Sequence, residues 1–288
     1  MKKNLFIICC FGLVHFSFAQ TDSTKTSAFD TIQVGVYKIP NKTYSSSDDG
    51  TAKRKKYNSD IVFGFSSKRK QSNITTSWWT LDLGFANFRD ETNYATAQSG
   101  KYFQTYKNGP VNANSMSLIN KKSSNLNIWI FMQKRNILKR QLNLKYGLGL
   151  EMYNYRFENN LSYRKDPFNQ IFNDSISFSK NKLYVGYLTV PVMLNYTANP
   201  SKKNSFKISA GMSFGYLLSS KNKQVSNERG KQKTSGNFDL EPFKIATIGE
   251  LGLGPVTLYG SYSLNTLHKS STGLQQYPYA IGVRLSNR

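Results

Sequence analysis

"QLNLKYGLGLEM", residues 141–152, alternates strictly. Leu142, Leu144, Tyr146, Leu148, Leu150 and Met152 fall on one side. Asn143, Lys145, Gly147, Gly149 and Glu151 fall on the other. A repeat of two residues marks a β-strand with two unlike faces. In a protein surrounded by water, the leucines would turn inward and Lys145 and Glu151 would face solvent. In a barrel surrounded by lipid, the two faces exchange places. Which arrangement holds decides the fold.

The pattern recurs. Eight segments alternate, at about 78–88, 124–133, 141–157, 182–197, 205–219, 239–252, 255–266 and 277–286. Each is long enough for a tilted strand to cross a bilayer. One face is apolar throughout, as in Trp79, Leu81, Leu83 and Phe85, then Leu126, Ile128, Ile130 and Met132. The other face carries Asp82, Asn127, Lys145, Glu151, Lys207, Lys244, Glu250 and Arg284 among small residues. Its charges nearly balance, although the whole chain has 39 Lys and Arg against 16 Asp and Glu. A solvent face in so basic a chain should not balance. A narrow interior should, because charges out of water need partners. The leucines are therefore expected to face lipid. Asp82, Lys145, Glu151, Lys207, Lys244, Glu250 and Arg284 are expected to form a luminal polar network. The fold class that follows is all-β: an eight-stranded antiparallel transmembrane up-and-down β-barrel with a polar, side-chain-filled lumen.

Gap lengths carry the same message. The gaps 89–123, 158–181 and 220–238 are long. Those near 134–140, at 198–204 and at Gly254-Pro255 are short. Outer-membrane barrels have long external loops and short periplasmic turns.

The beginning of the chain reads as an export signal over 1–19. Lys2 and Lys3 form its basic start, an apolar stretch follows, and Ser17-Phe18-Ala19 is a small-x-small cleavage site. Cys9 and Cys10 lie within it, leaving no thiol for a disulfide or metal site beyond it. Without Lys2 and Lys3, 37 basic and 16 acidic residues remain, a formal charge of +21. Residues 20–75 read as a basic, partly disordered N-terminal segment, in which 31–39 and 61–65 have strand-like composition but no convincing pairing partner, and 76–288 as the barrel. No later run of 18 apolar residues marks a spanning helix. Export and the scatter of basic residues over connecting segments argue against nucleic acid. Anionic outer-membrane lipid and lipopolysaccharide phosphates are the expected partners.

Trp78, Trp79, Phe88, Tyr153, Tyr155, Tyr196, Tyr216, Phe243 and Tyr279 are candidates for interfacial aromatic girdles. His268, beside Ser270 and Ser271, is the one histidine after the signal and reads as an exposed loop residue. It has no acid nearby in sequence and no Gly-x-Ser-x-Gly elbow accompanies it. No cofactor, metal or catalytic residue is expected.

"SWWTLDLGFANF", "LNLKYGLGLEMYNYRFENNLSY" and "YLTVPVMLNY", with Pro191, resemble strands of the PorT-like eight-stranded outer-membrane β-barrels of Bacteroidetes. "ISAGMSFGYLLSSK" and "LYGSYSLNTLHKSSTGLQQYPYAIGVRL" resemble their fifth strand and closing hairpin. The resemblance covers about 78–285 and implies an outer-membrane location with working external loops. Some members of that group assist secretion. The expectation is a monomeric, non-enzymatic barrel binding lipopolysaccharide or an envelope or secretion protein. The alternatives are an outer-membrane lipid-modifying enzyme using His268 and a soluble periplasmic ligand-binding β-barrel.

Overall fold

The structure, a computed structural model, describes residues 72–285 except Tyr106, Lys107, Lys203 and Pro255. The expected signal 1–19, the strand-like stretches 31–39 and 61–65, and nearly all of 20–75 lie outside the described residues. Twelve strands form among the described residues: β1 (Ile74–Asp90), β2 (Phe103–Gln104), β3 (Ser124–Leu138), β4 (Leu142–Arg156), β5 (Leu161–Arg164) and β6 (Gln170–Asn173). They continue as β7 (Lys180–Thr197), β8 (Phe206–Ser226), β9 (Gly230–Ser235), β10 (Phe243–Leu253), β11 (Val256–Ser263) and β12 (Gln276–Leu285).

Eight of them close a ring. Hydrogen-bonded neighbours run β1, β3, β4, β7, β8, β10, β11, β12 and back to β1, every pair antiparallel. Closure leaves no open edge, the condition for strands to exist in lipid. The three short turns, after β3, β7 and β10, lie at the end where β1 begins and β12 ends. The long connections gather at the other end.

The quoted stretch resolves as a lipid-facing strand. Along β4 the odd residues from Asn143 to Tyr155 are buried and the even ones partly exposed. Glu151 is 2% exposed, whereas Leu258 and Ile281 on the outer surface are 50% and 62% exposed. The apolar ribbons are outside and the charges inside.

Two sequence expectations change. Met132 is buried inside, not on the outer face. A bulge between Trp129 and Phe131 inserts one residue in β3 relative to β4, so the faces exchange beyond it. Opposite the bulge Trp79 has φ 53°, which breaks the alternation of β1 and leaves both Trp78 and Trp79 exposed. Second, Tyr153 and Tyr155 are not girdle residues; both are fully enclosed within the barrel. They share the parity of Lys145 and Glu151, and parity outranks the general preference of aromatics for interfaces. Phe88 also turns inward, against Tyr155. Trp78, Trp79, Tyr196, Tyr216, Phe243 and Tyr279 do lie on the outer surface.

Inward glycines make room for large luminal side chains. A Cβ on Gly149 would stand 2.6 Å from the Trp129 ring. That ring cannot swing away, because its Nε1 donates to Asp82 Oδ2 at 2.7 Å. Gly149→Val is expected to destabilise the barrel by about 1–3 kcal/mol through overpacking. Its urea unfolding midpoint in phospholipid vesicles should fall, while Gly249→Ala, where a Cβ meets only the distant Ser209 carbonyl, should barely move it.

Candidate functional site

Six of the seven luminal candidates meet near the middle of the barrel. Arg284 on β12 grips Asp82 on β1 with two parallel bonds, Nε to Oδ1 at 2.6 Å and Nη2 to Oδ2 at 2.8 Å. Its Nη1 also donates to Glu250 on β10, which takes a second ion pair from Lys145 on β4. Across the lumen Lys244 pairs with Glu151 and donates to the Tyr153 hydroxyl at 2.8 Å. All six are buried, three acids against three bases. The forked Arg284–Asp82 geometry is the strong form of such a pair. Surrounding groups satisfy the remaining lone pairs: Asn127 Nδ2 and Trp129 Nε1 donate to Asp82, and Ser209 Oγ to Glu250. Arg284 also lies 5.6 Å over the Trp129 ring.

Lys207, the seventh candidate, lies nearer the short turns. It lines a cavity of about 420 Å³ with Thr76, Lys134 and Lys202, floored by Lys145, Glu250 and Arg284. The ionic layer therefore forms the base of a vestibule at the end expected to face the periplasm. Asp82→Ala would leave Arg284 half-paired and orphan the Trp129 and Asn127 donors. It is expected to cost about 3–5 kcal/mol, and the Asp82→Ala, Arg284→Met double variant less than the two single changes added. Urea unfolding in vesicles measures both.

At the other end the long connections fold together into a cap with its own core. β2, β6 and β5 form a small sheet, with Phe103 opposite Ile171 and Tyr163 opposite Ile171 on the other edge. Val111, Met116, Phe157, Leu161, Phe238 and Leu274 are buried beneath it. This core continues down into the barrel through Tyr153, Tyr155, Leu183 and Val185. Polar bonds tie one loop to another. Tyr102 Oη donates to the Phe238 carbonyl at 2.7 Å, and Asn108 Nδ2 to the Asp174 carbonyl at 2.6 Å. Arg229 on the β8–β9 connection pairs with Asp174 at 3.0 Å. The sixth barrel strand begins at Phe243, not near Asp239, because Leu240 is drawn into the cap and bridges His268.

His268 is not an exposed loop residue. It is fully enclosed in the cap, stacked on Tyr163 at 6.2 Å and 7°, with Tyr102 edge-on at 6.0 Å. Neither ring nitrogen has a hydrogen-bond partner of ordinary geometry among the described residues. Burial pushes its pKa down to about 3, against a weaker opposing pull from Asp90 and Gln276. Nothing in the sequence near His268 signals this, since the residues enclosing it come from distant loops. An unfolded cap binds a proton near pH 6.5, whereas the folded cap resists it until about 3. The contribution of His268 to cap stability is thus fully present above pH 6.5 and is lost as pH drops toward 3. Amide-exchange protection of the cap should decline across that window, and His268→Phe should flatten the decline.

A closed ring, an apolar outer surface, a paired ionic interior and loops sorted to one end define an outer-membrane β-barrel. The chain belongs to the outer membrane protein beta-barrel domain family, whose model matches residues 92–270. Its place is the outer membrane, and the soluble periplasmic alternative falls. Among solved structures it is similar to Ail, the attachment invasion locus protein of Yersinia pestis, in complex with the heparin analogue sucrose octasulfate. That likeness is 11% identity over 73% of this chain and 98% of Ail, with a TM-score of 0.31. A second structure of Ail is 12% identical over the same shares, with a TM-score of 0.28. Among curated proteins no relative matches the sequence.

Proposed function

We propose that this chain is a monomeric, non-enzymatic outer-membrane barrel working through its external cap. The cap binds lipopolysaccharide or an envelope protein, and secretion or surface assembly is the process it serves. A role like that of the PorT-like group is one form of this. The observation that carries the reading is the ordering of the long connections on one shared core. Loops that merely closed the ring would not need Tyr102, Phe103, Tyr163 and Phe238 buried together or the Arg229–Asp174 pair. A rigid platform loses little entropy when it binds.

The lipid-modifying alternative is weakened by the same core. A general base must reach the proton it removes. His268 is enclosed away from the outer leaflet, and no carboxylate orients its ring among the described residues.

A photocrosslinker at exposed Lys101, just before β2, tests the reading in intact cells. The wild-type chain should give a discrete protein or lipopolysaccharide adduct. Replacing the β5–β6 hairpin by a short Gly-Ser turn should abolish that adduct while heat-modifiable gel mobility still reports a folded barrel. No adduct from the wild type, or the same adduct from both, overturns the proposal.

A further inference from the structure

Above the Tyr216–Phe243 ring pair the barrel wall continues outward as β4, β7, β8 and β9. One rank of this extension is cationic across all four strands. Arg156 is directly opposite Lys182, Lys182 opposite Lys223, and Lys223 opposite Lys233. Directly paired residues share a face, so the four side chains leave the sheet on one side, with neighbouring strands about 4.8 Å apart. The adjoining ranks add Lys180, Lys231 and Lys221.

Nothing acidic offsets the row. None of these lysines is in an ion pair among the described residues, and Asp174, buried nearby, is engaged by Arg229 and Ser162. The charges bearing on Lys182 are Lys180, Lys223 and Arg156; those on Lys223 are Lys180, Lys231 and Lys233. Arg156 donates through Nη2 to the Ser179 carbonyl at 2.7 Å, and its buried Nε has no partner. Like charges directly opposed weaken a sheet. Lysines on an edge strand can be explained as a guard against pairing. That explains Lys231 and Lys233 on β9, but not Lys182 and Lys223 on interior strands. A row that costs stability and spans interior strands suits a multivalent anion.

Its height selects the anion. Lys182 lies six residues beyond Leu188, the partner of Tyr216. That is roughly 20 Å along the strand, or about 15 Å above the aromatic level at usual barrel tilts. Interfacial aromatics sit at the level of phospholipid headgroups. The row stands above them, where the sugars of lipopolysaccharide lie. We propose that Arg156, Lys182, Lys223 and Lys233 form a binding site for the sugar phosphates of lipopolysaccharide standing beside the barrel in the outer leaflet. This rests on the reading of the chain as acting at the external surface, and it adds a site on the wall outside the cap core.

The full chain in nanodiscs tests it, with labelled lipopolysaccharide, its dephosphorylated form and phosphatidylglycerol as probes. Wild type should retain lipopolysaccharide at least tenfold more tightly than either of the others. The variant Lys182→Gln, Lys223→Gln, Lys233→Gln should lose at least tenfold in lipopolysaccharide affinity. Its unfolding midpoint in lipopolysaccharide-free discs should match or exceed wild type, since repulsion is removed. Undiminished binding by the variant, or equal retention of either control lipid, overturns the site. A lowered midpoint without lipopolysaccharide assigns the row a structural role and also overturns it. A Lys101 adduct alongside indifferent lipopolysaccharide binding sinks this site alone. Phosphate-dependent retention without any Lys101 adduct sinks the cap reading alone.

Discussion

The pairing of β1 with β12 is the contact on which the rest depends. From Leu81 opposite Leu285 to Asp90 opposite Gln276, the first and last barrel strands share an unbroken register. Hydrocarbon offers no water to an unpaired N–H or C=O, so a sheet crossing it must close on itself. With eight strands, closure leaves an interior just wide enough for side chains. Charges placed there have no solvent and must meet one another. The Arg284 bridge from Asp82 to Glu250 joins β12, β1 and β10 and so reinforces the seam that closes the ring.

The interior changes character along the axis of the barrel. β7 shows this along one face: a mixed run of Asn195, Met193, Pro191 and Thr189 inside the membrane zone gives way to Tyr187, Val185 and Leu183 toward the cap. Within the bilayer the outside is apolar, and the inside carries the paired charges beside a small cluster of Trp129, Met132 and Met193. Beyond it the outside meets water, so the inside can be an ordinary hydrophobic core. The Tyr and Phe residues of the cap follow the rules of a water-exposed fold, buried together in a core that continues into the barrel.

Cations are handled in opposite ways on the two surfaces. Lys145, Lys244 and Arg284 are each held by a carboxylate in the lumen. Lys182, Lys223 and Lys233 face one another across the outer wall with no acid between them. Burial makes pairing obligatory in the first case. Solvent screening tolerates repulsion in the second.

Strand number, the outward ribbon and the identity of six paired luminal charges were legible in the chain, because a period of two fixes the face of a side chain without knowledge of its neighbours. Loop sorting was legible for the same local reason: each gap has a length. The sequence did not reveal the bulge beside Ile130, which depends on how β3 must bend against β4 and which turned Met132 inward. Nor did it reveal that Tyr153 and Tyr155 join the cap core, that His268 is enclosed between Tyr163 and Tyr102, or that Arg156, Lys182, Lys223 and Lys233 line up. Those facts depend on register between strands and contacts between loops far apart in the chain. Local periodicity determines which way a residue points; only closure of the ring and folding of the cap decide what it meets there.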